Sequence, residues 1–223
     1  MEFFRKEDGL TFEEQGHVYK FEGKRVMSLT QILDAAGLVD YSMVQPAVLE
    51  AKRILGGKVH EYCLWNDQGE LDMDDLKPWP KYWNRVEGWR QFVADSGFMP
   101  DLTWCEVPAA ARVNGMLYAL TVDRYGVVGD GENIANAVIE IKTCADKEPS
   151  HQIQTAGQAI LFRPQSDAVQ LQLKRFAVYL LDKANGAGKF YTVEEHTNRS
   201  DEKVFIAALM LTQYRIQNGL LKG

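Results

Sequence analysis

Two periods divide the hydrophobic and polar positions of this chain. A strand turns alternate side chains to opposite faces, whereas a helix brings residues three and four apart onto one face. His17-Val18-Tyr19-Lys20-Phe21 alternates, Gly23 permits a turn, and Arg25-Val26-Met27 returns. Residues 10–27 are therefore expected to form two short strands. Ser28 is placed to cap a helix over 29–36, with Leu29, Ile32 and Leu33 on one side and Gly37 as its stop. Pro46 suits the first turn of a helix reaching about residue 64. Gly56-Gly57 should break that helix or admit another segment against it, because glycine costs about 1 kcal/mol against alanine in a helix interior. The acidic stretch 66–79 reads as a solvated connector. Pro80 opens an aromatic helix with Trp83, Val86, Arg90 and Val93 on one side, ending at Gly97.

Beyond it the period returns to two. A strand is expected over 102–107, with Glu106 near its end. Asn114-Gly115 marks a tight turn into a strand over 116–123 that ends in Asp123. Residues 126–136, rich in glycine and acid, read as a loop before a β-branched strand over 137–143. Ser150 can cap a helix over 151–162 that Pro164 ends, with Ile153, Gly157, Ile160 and Leu161 facing the sheet. A hairpin should follow, from 168–181 through Asn185-Gly186 to 189–194. Ser200 is placed to cap a last helix over 201–218. Helices before, between and after a sheet indicate an α/β (α+β) fold, a central mixed sheet flanked by helices. The 223 residues suffice for a single domain, with an N-terminal strand and helix extension over about 1–45.

Composition narrows the classes. A 46% hydrophobic, 25% charged chain is ordinary for a globular protein, and no apolar run is long enough to span a membrane. Residues 1–6 turn polar at once and lack the apolar core of a signal peptide, so a cytoplasmic location is expected. Cys63, Cys105 and Cys144 have no paired spacing and suggest free thiols. A net charge of −6 argues against a general nucleic-acid coat, but allows a local basic groove around an acidic site.

The chemistry concentrates in Val138-Ile139-Glu140-Ile141-Lys142-Thr143. Glu140 and Lys142 share a strand face, with Cα atoms roughly 6.5 Å apart. Charges on an inner strand are costly unless paired or bound to a metal. Asp123, if its strand neighbours this one, brings a second carboxylate to Glu140. Hard oxygen ligands suit Mg²⁺ or Mn²⁺, which can activate a water and draw charge from a phosphate oxygen. Lys142 could position or deprotonate that water, or neutralise developing charge as an ammonium. The plainer reading of Glu-x-Lys is a solvated strand alternation.

The order of motifs resembles the PD-(D/E)xK nuclease superfamily, in its RecB-like and phage-type exonuclease branch. His17-x-Tyr19 and 28–33 look like the opening of many phage members. Gly56-Gly57-Lys58-Val59-His60 resembles a G-x-x-x-H helix motif, which implies that His60 reaches a metal. Glu106 matches an additional acid, Asp123 the metal-binding aspartate, and Glu140-Ile141-Lys142 the D/E-x-K. Gln154 lies where the family has a glutamine that orients the site. Gln158 departs from the aromatic common there, and Thr121 from a glycine. The resemblance implies a restriction-endonuclease-like core and a deoxyribonuclease whose one or two ions are held by His60, Asp123, Glu140 and the Ile141 carbonyl, with Glu106, Lys142 and Gln154 completing the catalytic set. No iron–sulfur cluster is expected. Lys52, Arg53, Lys58, Arg112 and Thr143 are the candidates for DNA contact. The implied activity is exonuclease action on ends of linear DNA in phage or prophage recombination, with double-stranded DNA, a homo-oligomer and a single-strand annealing protein as expected partners. The alternatives are a structure-selective endonuclease and a non-catalytic DNA-end-binding module.

Overall fold

In the computed structural model, which describes residues 2–40, 42, 44–131, 133–144, 146–163 and 173–221, the first elements are four short strands: β1 (Glu2–Phe4), β2 (Leu10–Glu13), β3 (Val18–Phe21) and β4 (Lys24–Val26). The sequence analysis anticipates only the last two. β2, β3 and β4 form an antiparallel sheet, and β1 pairs with a later strand. Ser28 caps α1 (Leu29–Ala35) as expected: its hydroxyl accepts from the Gln31 amide at 3.2 Å, and the Gln31 side chain accepts from the Ser28 amide at 3.0 Å.

α2 (Pro46–Gln68) runs unbroken through Gly56-Gly57, longer than expected and without the anticipated break. A Cβ added at Gly57 would meet nothing within 4 Å, and one at Gly56 would lie 3.7 Å from the Thr143 hydroxyl. Continuous backbone hydrogen bonding outweighs the propensity cost of the pair. The connector then shortens to 69–79 and holds one 3₁₀ turn at Met73–Leu76. α3 (Pro80–Ser96) begins and ends as read, with Gly97 in the left-handed region at φ 62°. It buries Arg85, Val86, Trp89 and Phe92, while Arg90 faces out.

After β5 (Met99–Pro100), residues 102–104 form a 3₁₀ turn rather than the expected strand. β6 (Val107–Val113) starts one residue past Glu106 and carries Pro108 within it. Asn114 (φ 51°) and Gly115 (φ 78°) turn the chain tightly into β7 (Met116–Val122). The stretch read as a loop, 126–136, takes in the end of β8 (Arg124–Val128) and the start of β9 (Ala135–Lys142), which pair antiparallel. Gly126 inside it mimics a loop signal. Its real cause is close approach, since a Cβ there would collide with the Met99 carbonyl of β5.

α4 (Pro149–Leu161) is the crossover that a parallel pair requires, and β10 (Leu173–Leu180) runs parallel to β9. Glu148 rather than Ser150 stands at its N-cap. Pro164, and the first residues of the strand expected from Ala168, lie outside the described residues. β11 (Tyr191–Glu195) closes the late hairpin; Gly188 (φ 72°), not Gly186, takes the left-handed position in its turn. α5 (Asp201–Gln217) follows Ser200, whose side chain makes no capping bond.

The strands form three sheets, β2-β3-β4, β1-β6-β7 and β11-β10-β9-β8-β5, consistent with a mixed α+β fold. One apolar core joins α1, α4 and α5 to one face of β6-β7 through Leu29, Ile32, Tyr118, Ile160 and Phe205. A second joins α2 and α3 to the five-stranded sheet through Val59, Trp89, Ile139, Ile141 and Val178. A third packs the β2-β3-β4 sheet on the opposite face of β6-β7, where Ala110 and Ala119 are fully buried. With both faces covered, β6 can hold only small residues at 109–111. Residues 2–36 are thus built into the body through β1 and α1. No helix among the described residues is long and apolar enough to cross a membrane.

Candidate functional site

Asp123 sits between β7 and β8, where the chain leaves one sheet for the next. It does not lie on a strand paired with β9; the short β8, unseen in the sequence, supplies the adjacency. Because Arg124 pairs with Ile139, the preceding residue is carried to the level of Glu140 and Ile141. The Ile141 amide, beyond the end of the β8 ladder, donates to Asp123 Oδ2 at 2.8 Å. Glu106 stands beside Asp123, its amide donating to the Asp123 carbonyl at 3.2 Å. Its φ of 54° puts a non-glycine residue in the left-handed region, a strain of roughly 1–3 kcal/mol that its surroundings must hold.

α2 brings in His60, whose Nδ1 lies 3.0 Å from Glu106 Oε1 and 3.7 Å from Asp123 Oδ1. His60, Glu106 and Asp123 present ligand atoms that all fall within 4.8 Å of one another. Burial alone would lower the His60 pKa, but Asp123 and Glu106 outweigh it and push it up to about 9. Burial, reinforced by Glu140, pushes the Asp123 carboxyl up to about 8 despite His60. Glu106 is held below the ordinary carboxylate range, since His60 and Arg124 overcome its burial. An imidazole with two carboxylates is a donor set that could hold a divalent cation, and the crowding that raises Asp123 is what such a cation would relieve.

Glu140 and Lys142 project from the β9 face turned toward α4. Lys142 Nζ donates to Glu140 Oε1 and to Gln154 Oε1, each at 2.7 Å. Gln158 Nε2 donates to Glu140 Oε2, so both Glu140 oxygens are engaged. Burial opposes the Lys142 charge, but Glu140 and Asp123 keep its pKa above the ordinary lysine value.

Of the residues singled out by sequence, His60, Glu106, Asp123, Glu140, Ile141, Lys142 and Gln154 come together, with Thr143 against Gly56. Lys58 and Arg53 are exposed on α2 and paired to Glu61 and Glu50, and Lys52 is exposed on the same helix. Arg112 is not near the site. It lies six strand positions from Glu106, roughly 20 Å along β6, and pairs with Glu2 at 3.2 Å.

Sequence reasoning missed Arg124 and Asp67. The Arg124 side chain is fully buried; its Nε donates to Asp67 Oδ2 at 2.6 Å, and its Nη1 to Glu106 Oε1 and to the Asp123 carbonyl, both at 2.6 Å. The Trp89 indole donates to Asp67 Oδ1 at 2.7 Å and closes the network. An arginine opening an apolar strand next to Asp123 was the available signal: such a charge needs acids around it.

No protein-family model matches the chain, and no curated protein matches it.

Proposed function

We propose that this protein is a divalent-metal-dependent deoxyribonuclease that hydrolyses phosphodiester bonds from the ends of linear DNA. The observation that carries the reading is the convergence of His60, Glu106 and Asp123 within 4.8 Å, one strand residue from the Glu140–Lys142–Gln154 chain. Paired acids with a buried lysine in hydrogen-bond reach are what in-line attack of water on a phosphodiester needs.

His60, Glu106 and Asp123 would hold the ion, which would supply a Lewis acid to the phosphate and an acidified water. Glu140 holds Lys142 as an ammonium, and Gln154 fixes its direction. From there Lys142 can donate a hydrogen bond to a phosphate oxygen as the bond from water to phosphorus forms and that to the leaving oxygen breaks. Arg124 touches no substrate in this scheme; it positions Glu106 and the Asp123 backbone. Lys52, Arg53 and Lys58 on α2 and Thr143 just after β9 are the groups past which a DNA strand would run. Recombination or processing of phage or bacterial DNA is the setting proposed for such an activity.

The test is a Mg²⁺ or Mn²⁺ titration on matched linear and circular DNA. Mononucleotides from linear DNA alone are expected. Cleavage of circles would replace the exonuclease with an endonuclease, and DNA binding without any metal-dependent product would leave a binding module. Lys142→Ala should abolish cleavage while Mn²⁺ binding persists; full activity in that variant would remove Lys142 from the mechanism.

A further inference from the structure

Away from the site, the outer face of α5 is apolar. Phe205, Ala208, Leu209 and Thr212 are buried, and the first three join the core that holds α1, α4 and β7. On the opposite side, Lys203, Ala207, Met210, Tyr214 and Gln217 are exposed, flanked by Val204, Leu211 and Asn218. The spacing of the first five, alternately four and three residues, is the repeat that keeps one stripe of a helix against a neighbouring helix.

A surface helix ordinarily turns charge outward, and a helix that is apolar all round is a covered one. α5 has no charged residue from Val204 to Tyr214. Its charges sit at the ends. Asp201 pairs with Arg175 and Glu202 with Arg163 at its start, and Arg215 donates to the Ala35 carbonyl near its finish. Met210 is 54% exposed and Tyr214 60%. Of fifteen large apolar side chains exposed among the described residues, five lie on this face or in the turn after it: Val204, Met210, Leu211, Tyr214 and Leu220. Apolar residues exposed singly need no explanation, but a contiguous stripe does.

Area and shape favour a second copy of this chain as the cover. The stripe runs about 25 Å along the helix and exposes on the order of 500 Å² of apolar surface, close to the most that a monomer shows. Two copies face to face would remove about 1,000 Å² from water, the lower bound for a specific interface. The stripe also complements itself. With two α5 helices antiparallel about a two-fold axis level with Met210 and Leu211, Ala207 lies opposite Tyr214 of the partner subunit, the smallest side chain of the stripe against the largest. Met210, which adapts its shape, meets Leu211 of the partner subunit. Lys203 comes to Asn218 of the partner subunit, at a helix end whose free carbonyls attract a cation.

We infer that α5 is the interface of a two-fold homodimer, packed antiparallel on α5 of a second copy through Ala207, Met210, Leu211 and Tyr214. Such an interface is isologous, so each contact is made twice. It stands whether or not the protein cleaves DNA.

The experiment is sedimentation equilibrium of the full chain up to about 100 μM, a range suited to an interface at the lower bound of area. Wild-type protein should be a dimer. Met210→Glu sets two carboxylates close to the axis and should leave a monomer. Ala207→Tyr puts a second tyrosine against Tyr214, and Tyr214→Ala leaves a gap opposite Ala207; each should raise the dissociation constant about tenfold or more. The double exchange, Ala207→Tyr with Tyr214→Ala, restores small against large and should restore the dimer. All three positions are exposed, so thermal melts should keep the wild-type form at a protein concentration where every variant is monomeric. Wild-type protein that stays monomeric, or that forms a trimer or larger ring, overturns the inference. A dimer that survives Met210→Glu overturns it too, and this variant decides by itself should an exchange variant unfold. A folded double variant that stays monomeric overturns the antiparallel pairing.

Discussion

At His60 two effects oppose each other. Burial disfavours the imidazolium, Asp123 and Glu106 favour it, and the carboxylates win, setting a pKa of about 9 against 6.5 unperturbed. A folded pKa above the unfolded one means the folded state binds the proton more strongly. The resulting stability is complete below about pH 6.5 and disappears as pH rises through about 9. In metal-free protein, the advantage of wild type over His60→Gln in thermal melts should therefore shrink across that window; an advantage that grew with pH would contradict the assigned ion pair. Arg124 has no such freedom, because it is charged at any accessible pH. Arg124→Met would strand Asp67 and Glu106 without their partner, and breaking a buried pair costs about 3–5 kcal/mol. Urea denaturation should show a loss of that size, and a loss below about 1 kcal/mol would mean that water replaces the guanidinium.

Among the elements, α2 and α3 treat their glycines in opposite ways. Gly57 lies in open space inside a continuous helix, so Gly57→Ala should stabilise the protein by about 1 kcal/mol. Gly88 is buried, and a Cβ there would run into the carbonyl of Phe190, the residue before β11. Backbone cannot move aside as a side chain can, so Gly88→Ala should destabilise by about 1–3 kcal/mol. Denaturant midpoints of the two variants decide this: no loss in Gly88→Ala would show that α3 is not held against the late hairpin as described, and a loss in Gly57→Ala would show that its position is not open. β8 is the element on which the site depends most. It is five residues long, yet it sets the level of Asp123 against β9 and buries Arg124 behind it.

For the whole molecule, the site is a junction. α2, the β7–β8 corner, β9 and α4 each contribute, and all three apolar cores meet the elements that carry those residues. A cation bound at His60, Glu106 and Asp123 would tie α2 to the sheets, and binding only to the folded state stabilises it by about 2.7 kcal/mol at a hundredfold excess over the dissociation constant. Mn²⁺ should raise the melting temperature by roughly 5–10 °C for a chain of this size. Asp123→Asn, which keeps an acceptor for the Ile141 amide, should lose most of that rise; an equal rise in both proteins would move the ion elsewhere.

Much of this architecture is legible along the chain because local physics writes it. Ser28, Asn114-Gly115, Pro80 and Gly97 act within a few residues of themselves, and the structure keeps each where periodicity and turn chemistry put it. The Glu140-x-Lys142 face is of the same kind, since strand alternation alone brings the two side chains together. Local signals mislead where distant neighbours decide. Gly126 reads as a loop residue, but it is there because β5 passes too close for a side chain. Gly56-Gly57 reads as a break, but backbone hydrogen bonding carries α2 through it. Arg112 sits near Glu106 in sequence and roughly 20 Å away along a strand. Arg124 and Asp67 acquire meaning only once separated segments are folded together. Burial and partnership are properties of the packed molecule: a residue's type states what it would need, and only the tertiary structure supplies or withholds it.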